Sequence, residues 1–192
     1  MAAPPGKAPV RYAALLRGVN VGGNKKIAMA DLRLLLSGLG LDEVSTLLQS
    51  GNAVFTAPES DAVALAAQIE AALLADLGLS SRVVLWTHQQ LAAVVAANPF
   101  PTAEDEPSKH LVQFLFKPLA AAEKERIAAF DAAAYAPEEF RVGEEVIYFR
   151  FPDGIGRSKL AVDFGKHVTA KLVMTGRNWN TVRKLLDLTA QV

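Results

Sequence analysis

The chain of 192 residues has no cysteine. That excludes disulfides, thiolate nucleophiles and cysteine-based metal sites. It also suits a reducing compartment, so a cytoplasmic location is expected. Net charge is missing as well, since 20 Lys and Arg balance 20 Asp and Glu. A dedicated non-specific nucleic-acid binder normally carries an excess of basic residues. No long apolar run survives uninterrupted. The alanine-rich stretches are broken by Asp, Glu, Gln and Arg, so none reads as a membrane span. The opening MAAPPGKAPVRY lacks the apolar stretch of a signal peptide. Metal-ligand spacing is absent too: His88, His110 and His167 are far apart and form no HExxH pattern. Neither a metal nor a cofactor is expected.

What is present is apolar bulk and an uneven spread of charge. Hydrophobic residues make up 51% of the chain, enough for a sizeable core. Residues 100–149 hold five basic and ten acidic side chains, whereas residues 150–192 hold eight basic and three acidic. Either these segments cover solvated faces and pack beside each other, or the basic end is a functional patch.

Pro4, Pro5 and Gly6 suggest a disordered lead-in over residues 1–10. Short apolar runs at Arg11–Arg17, Val44–Gln49, Ala53–Thr56 and Arg82–Trp86 read as strands. Leu32, Leu35 and Leu36 mark one helix, which Gly38 or Gly40 ends. Asp61 caps a second, with Leu65, Ile69, Ala72, Leu73 and Leu77 inward and Gly78 at its end. This β-α-β-β-α-β order is the split arrangement of a ferredoxin-like fold. An extra helix opens with a capping box over Thr87–Gln90 and stops at Asn98-Pro99. The N-terminal domain is thus expected over residues 11–98, a linker over 99–109 and a second domain over 110–192. The second half repeats the order as strand, helix from Pro118, hairpin about Gly143-Glu144, helix Ser158–Phe164 and a last helix holding Trp179, Val182, Leu185 and Leu186. The expected class is α+β, two tandem ferredoxin-like halves with antiparallel sheets.

Three separated segments carry a resemblance: RGVNVGGNKKIAM, LLQSGNAVF at Leu47–Phe55, and TGRNWNTVRKLL at Thr175–Leu186. Together they resemble the domain of unknown function 1697 family, from Tyr12 to Leu188. The resemblance implies a bacterial α+β protein of two ferredoxin-like halves and brings no activity with it. Ala28 and Ala53 depart from the family pattern, neither in a way that touches chemistry.

The candidate chemistry is cationic. Arg17–Lys26 is a glycine-rich loop between a strand and a helix start, the kind of place where backbone amides gather round an anion. Arg17, Asn20, Asn24, Lys25 and Lys26 are its candidate ligands, although the loop matches neither a Walker A nor a GxGxxG pattern. Gly154–Lys159 is a second glycine loop before a helix. Ser158 can cap that helix, and Arg157 and Lys159 stand where they oppose its dipole. They make sense if an anion binds there, or if the acidic middle segment packs against them. Arg177 is a planar donor suited to carboxylate or phosphate, and Asn178 a competent N-cap. Gln49–Asn52 reads as a turn fixed by side-chain bonds, placed at the sheet end opposite the first helix start. Glu138-Glu139 and Glu144-Glu145 point to alternate strand faces and make poor dyads. No nucleophile or general base is placed with the cations, so no catalytic residue is assigned. The expected partner is an anionic small molecule, a nucleotide or phosphorylated metabolite. Single-stranded nucleic acid on exposed sheet aromatics, against which Tyr12, Phe55 and Trp86 lack the usual aromatic and basic pattern, or an enzyme of unknown reaction, are the alternatives. The oligomeric state, and whether the two cationic clusters share one cleft, are left open.

Overall fold

A computed structural model describes residues 8–21, 26–168 and 172–190. The described residues form eight strands and six α-helices in two compact units. One unit comprises the chain up to Ala92 and again from Leu185; the other is Ala93–Lys184.

The first unit holds β1 (Pro9–Leu16), α1 (Met29–Gly38), β2 (Asp42–Leu47), β3 (Asn52–Pro58), α2 (Ala62–Leu77) and β4 (Val83–Thr87). Its sheet runs β2-β3-β1-β4, all antiparallel. This is the expected split topology. Local signals set the helix ends. Asp61 accepts from the N–H groups of Val63 at 2.9 Å and Ala64 at 3.4 Å. Gly78 takes φ 61°, and Leu79 N–H returns to Leu73 O at 2.9 Å. At α1 it is Gly40, not Gly38, that adopts positive φ. Tyr12, Leu16, Leu32, Leu36, Phe55 and Ile69 share the core beneath the helices. Ala13 and Leu15 are buried too, so from Arg11 to Leu16 both faces of β1 are covered. Two expectations fail here. Pro9 and Val10 belong to β1, opposite Pro58 and Ala57, and not to a disordered lead-in; residues 1–7 lie outside the described residues. Leu77, expected inward, is exposed.

α3 (His88–Ala96) follows β4 directly. Its capping box is present: Thr87 N–H donates to Gln90 Oε1 at 2.9 Å and Gln90 N–H to Thr87 Oγ1 at 3.3 Å. The unit boundary falls inside α3, before the Asn98-Pro99 break, and again inside α6 (Trp179–Thr189). Residues 99–109 do not form a linker. Two short 3-10 turns, Pro101–Ala103 and Pro107–Lys109, stand there, and Phe100 and Ala103 are buried.

That unit repeats the first: β5 (His110–Leu115), α4 (Ala121–Ala128), β6 (Glu139–Val142), β7 (Val146–Arg150), α5 (Lys159–Val168) and β8 (Met174–Asn178), in sheet order β6-β7-β5-β8. β8 was not expected. MTGRN has no apolar alternation, and its pairing with β5 comes from the long-range ladder, Arg177 opposite Val112. Pro118 lies before α4, which opens at Ala120, where Glu123 accepts the backbone N–H at 2.8 Å. The core is aromatic. Phe164 lies 4.8 Å from Phe140 and 5.0 Å from Phe149 between ring centres.

One buried group ties this unit to pH. His110 is buried; its Nε2 lies 3.1 Å from Thr102 Oγ1, and its Nδ1 has no hydrogen-bond partner among the described residues. Burial, then the nearby Arg150 charge, holds its imidazole below the ordinary value. The unfolded chain therefore binds a proton at a pH where the folded unit does not, and stability rises with pH. The expected result is a melting temperature that falls as pH drops below about 6.5, the ordinary imidazole value. Replacing His110 by Gln should flatten that part of the profile. An unchanged profile would remove His110 from the account.

Candidate functional site

The turn after β1 is held by bonds to segments distant in sequence. Leu16 N–H donates to Gly51 O and Arg17 N–H to Arg82 O, both at 2.9 Å. Ser81 Oγ donates to Arg17 O at 3.0 Å. Gly18 and Asn20 then take positive φ, 68° and 54°. Asparagine tolerates that region better than most side chains, and here its amide is fully employed. Asn20 Nδ2 donates to Ile27 O at 2.9 Å and to Gln49 O at 2.7 Å, while Ile27 N–H donates back to Asn20 Oδ1 at 3.0 Å. One side chain closes the loop before α1 and binds it to the β2–β3 hairpin.

The hairpin therefore lies at the same sheet end as the start of α1, which corrects the expectation of opposite ends. The reason is directional. β1 and β3 are antiparallel neighbours, so β3 begins where β1 ends. The turn spans Leu48–Gly51, with Leu48 at φ 59° and Gly51 at φ 71°. Buried Asn52 fixes it, donating to Leu47 O at 2.9 Å and Ser50 Oγ at 3.0 Å.

These turns enclose a cleft of about 440 Å³ lined by Asn20, Lys26, Ile27 and Gln49. α1 opens beside it. Its N-cap, Ala28, makes no side-chain cap, and Asp31 is the acid in its first turn. Lys26 and Arg17 are exposed. Asn24 and Lys25 lie outside the described residues. Of the first candidate cluster, Asn20 acts as scaffold and Lys26 lines the cleft.

The second cluster lies in the other unit and is arranged differently. Arg157 and Lys159 are exposed at the start of α5. Glu138 occupies that helix end: its Oε2 accepts from Ser158 Oγ at 2.9 Å and from Leu160 N–H at 3.0 Å. Ser158 Oγ caps Ala161 N–H at 2.8 Å, as expected. Glu138, from the acidic middle segment, thus packs at the helix end where these cations stand. Sequence alone singled out Glu138 only as half of a poor dyad. Arg177, read as an accessible donor, is buried in β8. Its guanidinium donates to Thr175 Oγ1 and Gly176 O, both at 2.8 Å, and burial lowers its pKa to about 10. Asn178 caps α6, accepting Thr181 N–H at 2.9 Å.

Tyr12, Phe55 and Trp86 are all buried, which removes them as a platform for stacked bases. His88 Nδ1 lies 3.2 Å from Leu186 O, and His167 Nε2 3.0 Å from Arg126 O. Among the described residues no group of three His, Asp or Glu is placed to hold a metal, and no helix is long and apolar enough to cross a membrane.

The model of the family described as protein of unknown function DUF1697 matches residues 10–148. Among solved structures, a conserved bacterial protein of Streptococcus pneumoniae is similar, with 24% identity and a TM-score of 0.72. The match covers 95% of this chain and 99% of that one. At this identity the likeness concerns the fold. No curated relative matches the chain. With well over half of its length matched, from strand β1 to strand β7, the chain belongs to the DUF1697 family.

Proposed function

We propose that the chain binds an anionic small molecule, a nucleotide or a phosphorylated metabolite, in the cleft between the β1–α1 turn and the β2–β3 hairpin. The supporting observation is a conjunction. A helix that begins without a side-chain cap adjoins a cleft of about 440 Å³ with Lys26 on its wall. Free N–H groups and the positive helix end attract an anion there, and lysine adds a point charge. Asp31 takes up part of the dipole. Asn20 and Gln49 hold the two turns together, so the cleft exists before a ligand arrives. Among the described residues no nucleophile or base joins Lys26 in the cleft lining, and binding is preferred to catalysis on this reading. On this reading the protein acts in the bacterial cytoplasm.

Thermal shift at low ionic strength, with inorganic phosphate, pyrophosphate and nucleoside phosphates, tests it. Ligand at about a hundredfold its Kd should raise Tm by about 5 °C or more. Lys26→Ala should lose most of that shift while melting like the wild type when no ligand is added. Salt near 0.5 M should weaken it by screening. If none of these anions shifts the wild-type transition, the reading fails.

A further inference from the structure

The second unit carries a different hollow. β6 is an edge strand, paired on one side by β7 alone. Between β6 and α4 lies a groove of about 420 Å³, lined by Lys124, Ile127, Ala128, Phe130, Phe140 and Val142. That volume falls in the range of small-molecule sites, and apolar walls with one polar group are their usual composition.

The walls are fixed before anything binds. Phe130 stacks on Tyr135 at 5.3 Å with 16° between ring planes, and meets Phe164 edge-on at 5.4 Å. The His167 ring lies 5.3 Å from it between ring centres. Val142 is 46% exposed, so apolar surface faces solvent at the groove. Covering it is favourable.

Charge selects the occupant. Lys124 is the one charged residue of the lining, and it makes no salt bridge among the described residues. Two nearby acids are already engaged. Glu123 accepts Ala120 N–H and pairs with Lys117 at 3.4 Å. Glu139 pairs with Arg141 at 3.1 Å and Arg150 at 3.3 Å. Glu125 follows Lys124 on α4, about 100° round the helix. We infer that the groove binds an amphipathic monocarboxylate, an alkyl or aryl acid whose apolar body packs on Phe130 and Phe140 while its carboxylate meets Lys124.

The site is separate from the cleft beside α1, and its test is separate too. The full chain, labelled at its methyl groups, is titrated with octanoate, 2-naphthoate and octanol, and the methyl signals of Ile127, Ala128 and Val142 are followed by NMR. Both acids should move all three residues, and saturating inorganic phosphate should not displace them. Lys124→Gln should raise the Kd for octanoate roughly threefold to fivefold, the range of an exposed ion pair, and leave that for octanol unchanged. Ala128 is exposed, so Ala128→Trp fills the groove without entering the core; it should abolish binding of all three while the circular dichroism spectrum is kept. No perturbation at millimolar acid overturns the inference. So does octanoate binding indifferent to Lys124, or binding that survives Ala128→Trp. A blocked extended peptide that moves these signals where the acids do not would assign the groove to strand addition on β6 and equally overturn it.

Discussion

Replacing Gly51 by Ala should destabilise the first unit by about 3–5 kcal/mol, lowering Tm on the order of 10 °C. Two costs combine. Gly51 has φ 71°, where an added Cβ is strained. That Cβ would also collide with Val19 Cγ2 and stand 2.9 Å from Leu16 Cβ. Val19 is fully buried in the β1 turn and Leu16 ends β1, so neither side chain has room to retreat. The two costs separate in a double-mutant cycle. Val19→Ala removes the colliding methyl but not the strain. Gly51→Ala should therefore cost less in that background by about 1–2 kcal/mol, with the strain term remaining. Additive effects would show that the turns do not press on each other. Thermal or urea unfolding reads the result directly.

The same pair of turns shows which parts of the molecule were legible in the sequence. Asp61, Gly78, Thr87 with Gln90, Ser158 and Asn178 all act on backbone within a few residues. Their roles follow from residue type and position, and they were read correctly. In the first unit the element order needs only apolar periodicity, and it gives the right topology. Asn20 and Gln49 are 29 residues apart, and their bond exists only because β3 lies against β1. Neither turn carries a local mark that they share one end of the sheet; the antiparallel pairing of β1 with β3 decides it. β8 was missed because its five residues include one glycine and no β-branched run; partnership with β5 makes it a strand. Arg177 was misjudged for a related reason. Arginine is rarely buried, and nothing local marks this one as interior. Glu138 reaches the α5 terminus across 20 residues, a contact invisible to spacing. The apolar groove has no local signal, because Phe130 and Phe140 meet only in the folded unit.

Loss of the Asn20 amide should cost about 3 kcal/mol, one net hydrogen bond at a time. Asn20→Ala removes all three bonds and puts a β-carbon without a local polar partner at φ 54°. Asn20→Gly loses the same bonds but relieves the backbone, and should be more stable than the alanine variant by about 1 kcal/mol. Asn20→Asp is the most informative substitution. It keeps the acceptor for Ile27 N–H but sets a carboxylate against two carbonyls, Ile27 O and Gln49 O, that had received N–H donors. At neutral pH it should be no more stable than Asn20→Ala despite its matching shape. Protonating the new carboxyl below about pH 4 restores one donor, so this variant alone should gain ground relative to the wild type on acidification. All three should weaken phosphate binding as well, because Lys26 adjoins the Ile27 peptide that Asn20 anchors. Lys26→Ala makes the opposite contrast, with binding lost and stability kept. If Asn20→Ala melts within about 0.5 kcal/mol of the wild type, the amide is not what holds the turns together. The cleft between them would then have no reason to be preformed.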